Sequence, residues 1–99
     1  METERRQRRR FQLRQPALVR YDNGSQEAAA LTRDASILGT YLELDVPLPE
    51  HSTIEITLLL TNDSSATVIR LHGYGRVVRV EPLADGKYGV AVAYTQLLS

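Results

Sequence analysis

Hydrophobic and polar residues alternate along this chain with a period of two. The clearest run is Thr53 to Leu60, where Ile54, Ile56, Leu58 and Leu60 share one face and Thr53, Glu55 and Thr57 the other. That pattern belongs to a strand with one buried face. Tyr88 to Tyr94 repeats it, with Tyr88, Val90, Val92 and Tyr94 in phase, and Thr40 to Leu44 places Leu42 and Leu44 together. Ala17 to Tyr21 reads as a short strand closed by Asp22-Asn23-Gly24-Ser25, a turn signal because Asn-Gly tolerates positive φ. In Gln26 to Leu31, Glu27 and three alanines favour helix, whereas the hairpin context and Thr32 favour strand; we read a strand.

Asp34-Ala35-Ser36-Ile37-Leu38-Gly39 interrupts the pattern, and Pro47 and Pro49 stop the strand that follows. Asn62 to Ser65 and Ala84 to Lys87 are further turns. Thr67 to Val80 is too long and too rich in glycine for a plain strand. Ile69 and Leu71 occupy one phase and Val78 and Val80 the other, which predicts a bulge or bend at Gly73 or Gly75. Thr95 to Ser99 leaves room for one helical turn at most. Short strands at this spacing, with no long amphipathic helix, describe an all-β barrel or sandwich of about six strands.

Charge divides the chain in two. Residues 1 to 20 hold seven arginines against Glu2 and Glu4, a net of +5, while residues 21 to 99 hold five basic residues against ten acidic ones, a net of −5. Residues 1–15 lack a period and are expected to form a basic arm, mobile at least up to Phe11, with Phe11 and Leu13 the first side chains to dock on a domain of residues 16–99. Of the twelve basic residues, eleven are arginine. This favours recognition of phosphate and bases over mere solubility, because guanidinium offers a planar fork of donors and can stack.

Ninety-nine residues suit one core. The absence of cysteine excludes disulfides, thiolate metal sites and cysteine nucleophiles. The start METERRQRRR has no apolar h-region, and no apolar run approaches the roughly 18 residues that would span a bilayer. A soluble cytoplasmic protein is expected. His51 and His72 lack ligand spacing, Ser36 lacks the setting of an activated nucleophile, and no glycine-rich loop leads into a helix. These readings favour a binding module over an enzyme, with no catalytic residue, metal or cofactor.

Two motifs give that module a family resemblance. Arg5 to Phe11, RRQRRRF, resembles the R-x-x-x-R element that opens PilZ domains, in which a hydrophobic or aromatic residue commonly follows the second arginine. Arg6 and Arg10, followed by Phe11, are in best register; Arg5 with Arg9, and Arg10 with Arg14, share the spacing. Asp34-Ala-Ser36-Ile-Leu-Gly39 is similar to the second PilZ element, D/N-x-S-x-x-G, about 24 residues further on. Gly75-Arg-Val-Val-Arg-Val and Tyr88-Gly-Val-Ala-Val-Ala-Tyr look like later PilZ strands, so the resemblance covers nearly the whole chain. One departure is the short tail, since many PilZ domains carry a helix after the last strand.

The resemblance implies a six-stranded antiparallel barrel that binds the bacterial second messenger cyclic di-GMP. Arg6 and Arg10 would clamp phosphate and guanine, Asp34 and Ser36 would read the guanine edge, and Gly39 would admit the ligand or hold the turn. Arg5 and Arg9 are candidates for a second bound nucleotide. The chemistry agrees: guanidinium pairs bidentately with phosphate or with guanine O6 and N7, and a carboxylate accepts from guanine N1 and N2. Ligand binding would order the arm and signal to a downstream protein partner. The alternatives are a small barrel that binds single-stranded nucleic acid through the arm, disfavoured by few aromatics and an acidic barrel, and a PilZ-like adaptor that binds protein and no nucleotide.

Overall fold

The computed structural model describes residues 15–61 and 68–98. Six strands form: β1 (Pro16–Tyr21), β2 (Gln26–Ala35), β3 (Gly39–Leu44), β4 (Thr53–Thr61), β5 (Val68–Pro82) and β6 (Tyr88–Leu97). All their pairings are antiparallel, and they close into a barrel in the order β1-β2-β3-β6-β5-β4. Closure removes the sheet edges that an open six-stranded sheet would leave unpaired. Between β5 and β6 lies a single 3-10 turn, Ala84–Gly86.

The inward phase of each strand fills the barrel. Val19 of β1, Leu42 of β3, Ile54, Ile56 and Leu58 of β4, Val77 of β5 and Val90 of β6 are fully buried. The alternation in β4 and β6 is therefore the burial pattern itself. The ambiguous alanine segment is strand throughout: its residues pair with β1 from Tyr21↔Gln26 to Pro16↔Leu31. The turn before it uses the positive φ its sequence offers, with 55° at Asp22, 56° at Asn23 and 84° at Gly24.

Three boundaries differ from expectation. β2 does not end before Asp34; Asp34 and Ala35 still pair with β3, opposite Tyr41 and Thr40. β6 continues to Leu97, so strand takes the place of the expected helical turn, and among the described residues no helix follows it. The phase change in β5 falls at Val78, not at a glycine: Val77 pairs with Val92 and Arg79 with Ala91, leaving Val78 as the extra residue. The irregularity at Gly75 belongs to the other strand, where Tyr74↔Gln96 is followed by Gly75↔Tyr94 and Thr95 is extra.

A bulge in β2 has the same consequence as the one in β5. Thr32 pairs with Leu42 and Asp34 with Tyr41, so Arg33 is unmatched. Ala30 and Thr32 point inward, and an unbroken strand would send Asp34 in after them. The extra residue reverses the phase, turning Asp34 to the outer face and burying Ala35 in its stead.

Tyr94 closes one end of the core and yields a pH prediction. Its hydroxyl is buried and no described residue offers it a hydrogen bond, and burial pushes its pKa from 10.0 up to about 12. The folded value lies above the unfolded one, so the stabilisation from keeping the phenol neutral is complete below pH 10 and is lost as pH rises towards 12. The loss is on the order of 2 kcal/mol over that window. Urea unfolding at stepped alkaline pH should show a loss larger by this amount in the wild type than in Tyr94→Phe, which keeps the contributions of Tyr41 and Lys87, whose pKa values are also raised; equal losses in both would contradict the assignment.

Candidate ligand-binding groove

The three described residues of the two-motif pattern, Asp34, Ser36 and Gly39, line one open groove of about 580 Å³. Its other walls include Leu38, Tyr41, Val78 and Ala93. The groove lies on the outer face of the barrel where the β2–β3 turn overhangs β6 and β5. Arg5, Arg6, Arg9 and Arg10 fall outside the described residues, as does the whole basic arm before Gln15.

The turn between β2 and β3 is fastened at four points. The Ser36 N–H donates to the Gly39 carbonyl at 2.9 Å, and the Leu38 N–H donates to Ser36 Oγ at 3.1 Å. The Thr40 hydroxyl donates to the Asp34 carbonyl at 2.7 Å, and the Tyr94 N–H donates to the Leu38 carbonyl at 3.0 Å. Ser36 thus acts first as a turn-former, its oxygen accepting from backbone, while its hydroxyl hydrogen can still be donated into the groove. The turn leaves Ile37 and Leu38 each 77 % exposed, an apolar knuckle beside polar Asp34 and Ser36.

Gly39 serves the barrel. Its φ is not positive, and a Cβ there would collide with the Val92 carbonyl oxygen and come within 3.3 Å of the Ala93 Cα. The backbone it admits is that of β6, and the close approach brings the turn down onto the strand that floors the groove.

Asp34 reaches the groove because of the Arg33 bulge, and the row beside it adds residues that the motifs do not name. Asp34 pairs with Tyr41, Tyr41 with Ala91, and Ala91 with Arg79, so these four cross the outer face at one level. Tyr41 lies across Gly89, where any Cβ would strike its phenol, and donates its hydroxyl to Glu81 on β5. Loss of solvent and then the Glu81 carboxylate raise the Tyr41 pKa above its ordinary value. The Arg33 and Arg79 guanidinium carbons stand 5.8 Å and 6.0 Å from the centre of its ring. Arg33 also meets Glu43 at 3.2 Å and Arg79 meets Glu81 at 3.5 Å. The Tyr41–Glu81 pair is forty residues apart in sequence, beyond the reach of spacing arguments.

The root of the arm is held at the same end of β2. Gln15 donates its N–H to Thr32 Oγ1 at 3.0 Å, and the Thr32 N–H returns a bond to the Gln15 carbonyl at 2.8 Å. Both residues are buried. Thr32→Val should therefore cost about 1–3 kcal/mol by leaving the buried Gln15 N–H without this acceptor. Chemical denaturation measures it, and an isoenergetic variant would show that the Thr32 hydroxyl does not hold the root.

Further contacts between basic and acidic side chains lie away from the groove. Arg20 meets Glu27 at 3.1 Å, His72 meets Glu55 at 2.6 Å, and Lys87 meets Asp45 at 2.8 Å. The bond to Asp45 raises the pKa of Lys87. Among the described residues no three His, Cys, Asp or Glu side chains gather as a metal site, and no helix is long and apolar enough to cross a membrane.

The model of the PilZ domain family matches residues 4–98. The chain belongs to the PilZ family. Solved structures agree on the PilZ fold. The Bacillus subtilis inhibitor of motility, MotI/DgrA, superimposes with a TM-score of 0.75 at 12 % identity, over 91 % of this chain and 42 % of that one. The PilZ domain of CeSA from a cellulose-synthesizing bacterium superimposes with a TM-score of 0.55 at 19 % identity, over 88 % of this chain and 81 % of that one. This PilZ chain thus spans less than half the length of the motility inhibitor. No curated protein matches the sequence.

Proposed function

We propose that this PilZ domain is a non-catalytic receptor for cyclic di-GMP, acting in bacterial second-messenger signalling in the cytoplasm. The observation that carries the reading is the convergence of Asp34, Ser36 and Gly39 on one groove beside the root of the arginine arm. Arg10 lies five positions before Gln15, a reach of roughly 17 Å when extended, which is ample to cross the face of the barrel. Arg6 and Arg10 take phosphate and guanine, and Asp34 accepts from the guanine Watson–Crick edge. Arg5 and Arg9 lie beside the principal pair and suit a second copy of the nucleotide.

Binding orders the arm over the groove and changes the surface shown to a protein partner. The name of one structural neighbour, an inhibitor of motility, supports a PilZ domain that acts on a partner. Asp34→Ala and Arg10→Ala should each weaken cyclic di-GMP binding by about 1–3 kcal/mol in titration calorimetry. Binding that grows with oligonucleotide length, falls steeply with salt and ignores Asp34→Ala would replace the reading with single-stranded nucleic acid. An inert titration with both ligands would leave a protein adaptor.

A further inference from the structure

We infer that Arg76 and Arg79, on the outer face of β5, form a cationic wall that holds a phosphate of the cyclic dinucleotide across the groove from Asp34 and Ser36. The inference rests on the proposed ligand and adds a second, sheet-borne set of contacts to those of the arm.

Residues three apart on a regular strand point to opposite faces. The Val78 bulge cancels that rule: Arg76, Val78 and Arg79 are all exposed, while Val77 between them is fully buried. One extra residue thus brings Arg79 to the same side of β5 as Arg76. The bulge sits against the groove, for Val78 is part of its lining. A β2 bulge on the opposite wall does the same for Arg33 and Asp34. Irregularities of this kind give up ladder hydrogen bonds, and they recur where a side chain has to be re-aimed at a site.

The register places the two arginines against the groove residues. Gly39 is opposite Ala93 and Ala93 opposite Arg76; Tyr41 is opposite Ala91 and Ala91 opposite Arg79. Between β3 and β5, β6 presents Ala91 and Ala93, whose side chains end at Cβ. The outcome is a shallow trough three strand spacings wide at the level of Asp34, roughly 14 Å, with Asp34 of β2 on one bank and the guanidinium groups of β5 on the other. Arg79 is steadied by Glu81 and by the Tyr41 ring. Arg76 has no carboxylate within ion-pair range among the described residues. Its five donors are available to an anion. A ligand with two phosphates can give one to the arm and the other to this wall.

Titration calorimetry of cyclic di-GMP against the full chain, repeated at several salt concentrations, tests the assignment. Arg76→Ala should weaken binding roughly tenfold and make it less sensitive to salt, because a charge-assisted contact subject to screening is removed. Arg76→Lys should recover part of the affinity, because it restores charge without the bidentate fork. Arg70→Ala removes the same charge from an exposed position further up β5 and should change affinity less than twofold. Equal losses in Arg76→Ala and Arg70→Ala, or wild-type binding by the Arg76→Ala/Arg79→Ala double variant, would overturn the wall while leaving cyclic di-GMP as the ligand. Failure of the wild type to bind would remove the parent reading, and the wall with it.

Discussion

Gly39→Val should unfold the domain or destabilise it by about 3 kcal/mol or more, a cost in the range reserved for backbone strain and core disruption. A Cβ at residue 39 points into the backbone of β6, where the Val92 carbonyl oxygen is fixed by the strand pairings on either side. Neither partner can yield without opening Gly39↔Ala93 and Thr40↔Val92. Even Gly39→Ala should be destabilising. The sign is diagnostic, since alanine in place of a glycine that is merely flexible stabilises by about 0.4–1 kcal/mol through the unfolded chain. Urea unfolding of both variants decides it, and a stable Gly39→Ala protein would show that the close approach is not required. The glycine of the motif would then have to be explained by the ligand.

Leu42→Ala should cost about 2–5 kcal/mol, the range for removing a buried leucine when the cavity cannot collapse. Leu42 is fully buried on β3, opposite Thr32 on one side and Val90 on the other. A closed barrel has little freedom to fill the space, because moving any strand breaks two ladders. Small domains have only about 5–15 kcal/mol in all, so the midpoint of chemical unfolding should fall sharply. The effect on ligand affinity in the folded fraction should be slight, as Leu42 faces away from the groove. A loss of under about 1 kcal/mol would mean that the interior is loosely packed, against the burial seen.

Much of this architecture is legible in the residues. Ile54, Ile56 and Leu58 announce β4 because period-two burial needs no partner to be recognised, and Asp22-Asn23-Gly24 announces its turn because the φ requirement is local. What eluded the pattern is non-local. The conflict between Ile69/Leu71 and Val78/Val80 shows that a residue is extra in β5, but glycine drew the assignment to Gly73 or Gly75. Pairing with Val92 and Ala91 puts the slip at Val78. Asp34 resembled a break for a related reason: the Arg33 bulge reverses the phase, so a continuing strand loses its alternation at that point. The groove was half visible, through Asp34, Ser36 and Gly39. Tyr41, Gly89 and Glu81 were not, because only the β3–β6–β5 register brings them together.

The parts of the site divide their work. The motif turn is rigid, held by backbone bonds through Ser36 and by the packing of Gly39, whereas its apolar tip at Ile37 and Leu38 is left open to solvent. Such a turn offers a ligand fixed acceptors at little cost in ordering. In the proposed receptor, affinity and signal would then reside in the arm.

Titration of the intact chain with micromolar cyclic di-GMP tests the central claim most directly. Saturable heat at a defined stoichiometry, reduced by Asp34→Ala and by Arg10→Ala alike, is the result expected of a divided site. Absence of heat with the wild type, or an affinity indifferent to both substitutions, would contradict it.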